Sequence, residues 1–142
     1  MLEELLATKT ANEIAYEWFE DLKTIPPELQ PTWIRETLES KEMLHVFGRY
    51  FFPTTIRGSD TPECHIALIR ELTRPVSSAI IFPRGFAKST WEKIDTLHDI
   101  VYGLEPVIVY VSATLQDACF HFESMRSELE NNDVLRVVYG NL

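Results

Sequence analysis

Nine consecutive residues, Phe82-Pro83-Arg84-Gly85-Phe86-Ala87-Lys88-Ser89-Thr90, carry the side chains and spacing needed to hold a phosphate. They follow an apolar run over 76–81 and open onto a segment with helical periodicity that starts at Lys88. A strand that breaks into a short loop and ends in Lys-Ser-Thr at a helix start is the layout of a phosphate-binding loop. Loop backbone N–H groups and the positive end of the helix dipole then converge where an anion is stabilised. In that layout Lys88 reaches the terminal phosphates of ATP and the Ser89 hydroxyl ligates Mg²⁺. The strict pattern GxxxxGK[ST] places glycine where this chain has Phe82 and Ala87, so only Gly85 offers unusual backbone freedom.

Such a loop needs elements to hold it, and the flanking sequence supplies candidates. Residues 76–82 read as an apolar strand, and Trp91, Ile94, Leu97 and Val101 then recur at helical spacing up to a Gly103 cap. Val107-Ile108-Val109-Tyr110-Val111 is a nearly unbroken β-branched run, the pattern of a parallel strand buried on both faces. Thr114-x-x-Asp117 reads as a capping box, and Leu115, Ala118, Cys119, Phe122, Met125 and Leu129 form a helical stripe ending near Asn131-Asn132. The expected fold class is therefore α/β: a P-loop NTPase-like β–loop–α–β–α unit with an incomplete parallel sheet. Its two-stranded core with an exposed edge implies a chain prone to aggregate.

Upstream, Thr10-x-x-Glu13 is a capping box for an amphipathic helix to about Lys23, ended by Ile25-Pro26-Pro27. Helical stretches over 32–39 and 40–47 follow, then the cluster Phe47-Gly48-Arg49-Tyr50-Phe51-Phe52, read as core packing. A turn at Gly58-Ser59-Asp60 precedes a short helix begun by Thr61-Pro62-Glu63, with His65, Leu68, Ile69 and Leu72 on one face. Residues 1–60 thus form an acidic helical lead-in, and 61–142 form the first part of an ATPase domain.

Composition narrows the partners. The 142 residues carry a formal charge of −9, with ten acids against four bases before residue 46 and twelve against nine after it. An acidic chain is a poor free-standing nucleic-acid binder. Cys64 and Cys119 fit no zinc or redox spacing, and Cys119-x-His121 has no further ligand nearby. The acidic start Met1-Leu-Glu-Glu is unlike a signal peptide, and no apolar run is long enough to cross a membrane. A soluble intracellular protein is expected.

The loop with Arg84 four residues ahead of Lys88 and Ala87 just before it resembles the deviant Walker A loop of viral terminase large subunits, the ATP-driven motors that package phage DNA. The segments Phe47–Pro53, Cys64-His65, Arg70-Glu71-Leu72, Tyr110–Thr114, His121-Phe122 and Ser127–Asn132 extend the likeness over roughly 45–142. The resemblance implies that Lys88 binds the β- and γ-phosphates, Ser89 the Mg²⁺, and Pro83, Gly85, Phe86, Ala87 and Thr90 complete the cradle. It makes Arg84 a catalytic arginine finger on the γ-phosphate, against the alternative of a surface arginine paired with an acid. His65 is placed near the adenine or in the packing. Ser112 and Thr114 fall at the ligand end of the second strand, where capping already explains Thr114. The implied partners are ATP, double-stranded viral DNA through the complete motor, the portal and the small terminase subunit, in the cytoplasm of the infected bacterial host. No apolar run ending in Asp or Glu follows the loop, so Walker B is absent, and Glu92, Asp95 and Asp99 read as a solvated face. Two other readings stay open: part of a helicase-like ATPase, or a small acidic non-enzymatic interaction protein with a decayed loop.

Overall fold

A computed structural model describes residues 9–56, 58 and 60–140. Helix α1 (Ala11–Thr24) starts at the expected capping box: Thr10 accepts from the Glu13 backbone at 3.2 Å, and the Glu13 carboxylate accepts from the Thr10 N–H at 2.7 Å. Helix α2 (Gln30–Thr37) has Pro31 in its first turn, where a missing N–H does no harm. A 3₁₀ turn, Lys41–Met43, leads into α3 (Leu44–Phe51), and α4 spans Glu63–Leu72. The long α5 (Lys88–Tyr102) ends on Gly103 at φ 61, as its cap position predicted. Helix α6 (Leu115–Asn131) starts on Thr114, whose hydroxyl accepts from the Asp117 N–H at 3.1 Å. A seventh helix, α7 (Asp133–Tyr139), follows almost at once.

The expected α/β class is overturned, because the described residues are all helical outside loops and contain no strand or sheet. Residues 76–82 and 107–111 carry no regular secondary structure, and neither exchanges a backbone hydrogen bond with the other or with any described residue. β-Branched residues favour extended backbone; pairing needs a second row of N–H and C=O groups at the right distance. Nor is the second run buried on both faces. Val107, Val109 and Val111 are 75%, 77% and 83% exposed. The turn expected at Gly58-Ser59-Asp60 and the reading of the first residues fall wholly or partly on positions outside those described.

One helical core replaces the sheet. Ile34, Leu38, Leu44, Phe47, Leu68, Trp91, Ile94, Leu97 and Leu135 are buried together, drawing on every helix from α2 to α5 and on α7. The Phe47–Phe52 cluster packs inward, with Phe47, Phe51 and Phe52 all buried. Helix α1 is fastened to this core by the Trp18 indole N–H, which donates to Thr37 Oγ1 at 2.8 Å. The Asn12 amide clamps the α4 entry by accepting from the Thr61 N–H at 2.7 Å and donating to the Thr61 carbonyl at 3.0 Å. Among the described residues, no helix is long and apolar enough to cross a membrane.

Helices α3 and α5 cross at Gly48. A Cβ there would lie 2.7 Å from Trp91 Cζ3, and Trp91 is fully buried and has no room to retreat. Gly48→Ala should therefore destabilise the chain by about 1–3 kcal/mol, despite alanine's better helix propensity. Equilibrium urea unfolding measures it, and an unchanged or raised midpoint would mean the crossing is looser than described.

Candidate phosphate-binding loop

Packing on both sides fixes the ends of the loop. Phe82 and Ala87 lie partly buried against the core, and the Phe82 and Phe86 rings meet edge to face at 5.8 Å. Between them the backbone turns sharply, with Gly85 at φ 87 and Ala87 at φ 57, ψ 23. Ala87 is the sole non-glycine residue with positive φ among the described residues. The left-handed region costs an L-residue roughly 1–2 kcal/mol, so the surrounding packing must hold Ala87 there.

Two left-handed residues in three positions curve the loop into a concavity of about 450 Å³, lined by Phe82 and the eight residues that follow it. Alternating backbone of this kind is the geometry from which anion nests are built, although the Phe86 N–H is held by the Pro83 carbonyl at 3.4 Å. Helix α5 begins at its rim without any side-chain cap, and the first intrahelical bond runs from the Trp91 N–H to the Ala87 carbonyl at 3.0 Å. The N–H groups of Lys88, Ser89 and Thr90 are left without protein partners, as at any uncapped helix start. Lys88 is half-buried, while Arg84 and Ser89 are exposed. Neither Arg84 nor Lys88 forms an ion pair with a described carboxylate.

The anchor behind this loop is α5 itself. Trp91, one turn past Lys88, is fully buried and meets the His65 ring at 6.2 Å. Burial there lowers the His65 pKa. His65, Ser112 and Thr114 are not among the residues lining the concavity, whereas all eight residues expected in the cradle are. No carboxylate lines it, so the residues present fit Mg²⁺ through a single protein oxygen, Ser89 Oγ, with a nucleotide supplying the rest. Cys64 and Cys119 are free thiols, and His121 stacks on Tyr110 at 5.3 Å. No cluster of three or more potential metal ligands occurs among the described residues.

No family model, curated protein or solved structure matches the chain. The functional reading therefore rests on the loop and its supports.

Two supports escaped the sequence reading. Asp95 and Asp99, read as solvated, are half-buried, and both hold Lys41 Nζ, at 2.5 and 2.6 Å. This ties the 3₁₀ turn to the middle of α5. Burial raises the Asp95 pKa even against the Lys41 charge. The second is His98, which is fully buried, with its Nε2 2.8 Å from the Leu38 carbonyl and its Nδ1 unpartnered. A carbonyl can only accept, so Nε2 carries the hydrogen. Burial lowers its pKa to about 4. Both partners lie far away in sequence, and no local signal announces them.

Proposed function

We propose that this chain is the ATP-binding portion of a DNA-packaging motor of the phage terminase large-subunit type, with residues 82–90 as its phosphate-binding loop. One observation carries the proposal: positive φ at Gly85 and Ala87 curves the loop at the uncapped start of α5, beside two cations, Arg84 and Lys88, that form no ion pair among the described residues. In this reading the backbone N–H groups of Gly85, Ala87, Lys88 and Ser89 cradle the phosphates, the Phe86 N–H being turned to the Pro83 carbonyl at 3.4 Å, and Lys88 contacts the β- and γ-phosphates. Ser89 ligates the Mg²⁺ carried by the nucleotide. Arg84, exposed on the wall of the same concavity, stabilises the charge that spreads over the γ-phosphate during transfer. Pro83 opens the turn, its carbonyl accepting from the Phe86 N–H at 3.4 Å, and the Phe86 ring packs on Phe82.

The DNA, portal and small-subunit contacts, and the host cytoplasm as the place of action, belong to the complete motor in this proposal. The chain by itself is expected to hydrolyse ATP negligibly, because no carboxylate lines the concavity to hold Mg²⁺ or activate water. Calorimetric titration with Mg·ATP should show weak binding that Lys88→Ala reduces ten- to hundredfold, the worth of a charged hydrogen bond of about 1.5–3 kcal/mol. Binding indifferent to Lys88→Ala, or brisk turnover by the purified chain, would sink this reading.

A further inference from the structure

We propose that the groove between α5, the loop 105–111 and α6 receives a short, extended, apolar segment of a partner protein flanked by lysine or arginine. The groove has a volume of about 510 Å³ and a floor that includes Ile100, Ile108, Tyr110, Phe122 and Met125. Phe122 is 60% exposed, and the neighbouring Phe120 and Leu115 are also open to solvent. Large apolar side chains gathered in one concavity at the surface mark a candidate interaction site.

Charge decides what kind of occupant fits. Glu105 and Glu123 line the groove, and no Lys, Arg or His does. Neither glutamate forms an ion pair among the described residues, and Arg126, beside Glu123, is bound to Glu130 at 2.7 Å. An acidic rim on a chain of net charge −9 repels nucleic acid, anionic membrane and a second copy of itself. It attracts a cationic segment and steers its approach.

The backbone decides the occupant's shape. No residue from 105 to 113 gives or receives a backbone hydrogen bond to a described residue. Ile108 and Tyr110 line the groove, while Val107, Val109 and Val111 are 75%, 77% and 83% exposed, so side chains alternate between groove and solvent every two residues. Covering this stretch with a helix would bury N–H and C=O groups unpaired, whereas an extended peptide pairs with them.

Fluorescence anisotropy with the full 142-residue chain tests the proposal, using two labelled peptides of the same alternating Val-Thr core. One is flanked by paired lysines and the other by paired glutamates. The lysine-flanked peptide should bind, and the glutamate-flanked one should bind at least about tenfold more weakly. The exposed double substitution Glu105→Lys/Glu123→Lys should reverse that order while leaving the far-ultraviolet circular dichroism unchanged. Isotope-edited infrared spectra of the bound peptide should show strand. Equal binding of both peptides, binding of neither, or a helical bound peptide overturns the proposal. So does a concentration-dependent dimer in sedimentation that Phe122→Asp abolishes, since a second copy would then be the occupant.

Discussion

Trp91→Ala is expected to remove a large share of the molecule's stability at room temperature. The indole is fully buried, lies against Gly48 on α3 and His65 on α4, and sits in the first turn of the helix that carries the loop. Replacing a buried tryptophan by alanine removes its apolar transfer energy and leaves a cavity, together about 3–5 kcal/mol. Domains of this size are stable by roughly 5–15 kcal/mol, so one side chain accounts for a large share. The indole N–H has no acceptor, which makes the residue a better filler than hydrogen-bonding group. Trp91→Phe should therefore keep most of the stability, because the lost ring volume is offset by release of an unpaired N–H worth about 1–3 kcal/mol. Urea unfolding separates the two variants. A loss below about 1 kcal/mol for Trp91→Ala would show that the ring is not the packing centre described. The nucleotide affinity of Trp91→Phe should stay near that of the parent if the ring's role is to seat α5.

The second large effect is on acid stability, through His98. Its folded pKa of about 4 lies below the 6.5 of the free side chain, because burial disfavours the charged ring. Below 6.5 the unfolded chain takes up a proton that the folded chain refuses. The stabilisation is therefore complete above 6.5, shrinks as the pH falls, and is gone once the folded pKa is passed. The loss attributable to His98 is roughly 2 kcal/mol by pH 5 and on the order of 3 kcal/mol by pH 4. His45, also buried, with its Nε2 2.8 Å from the Ala11 carbonyl, is shifted in the same direction. Asp95, shifted upward, works against both. His98→Gln keeps a donor for Leu38 and cannot titrate. Its baseline stability should be lower at pH 7, and its fall between pH 7 and pH 5 should be smaller than the parent's by about that 2 kcal/mol. Equal falls in parent and variant would place the acid sensitivity elsewhere.

Local chemistry was readable from the chain. Thr10 with Glu13, Thr114 with Asp117, and Gly103 mark helix ends through hydrogen bonds spanning a few residues, and each stands where expected. The Trp91, Ile94, Leu97 stripe points inward as its spacing required. Pairing across the chain was not readable. Val107–Val111 has the composition of a buried parallel strand, yet burial depends on neighbours that its own residues do not encode. The stripe on α6 failed in the same way: of Leu115, Phe122 and Met125, only Met125 is buried. Asp95 and Asp99 looked like a wet face because Lys41 reaches them from more than fifty positions upstream. Asn132 was read as a helix end, and it is one, but its side chain also accepts from the Leu135 N–H to start α7 and donates to the Phe51 carbonyl. The eight cradle residues share one concavity because they are consecutive, so the candidate site was the most legible part of the molecule.

The short α7 packs against α2, and the Tyr139 hydroxyl donates to that of Tyr102, which donates in turn to the Arg35 carbonyl. Leu135 and Val138 fill the core from that side. A ribosome therefore releases the N-terminal helices long before the piece that covers them exists. Until residues 133–139 emerge, Ile34 and Leu38 remain open on that side, and the nascent chain must be shielded or wait. The covering of α2 is then a late event of folding, completed only when translation has passed Tyr139.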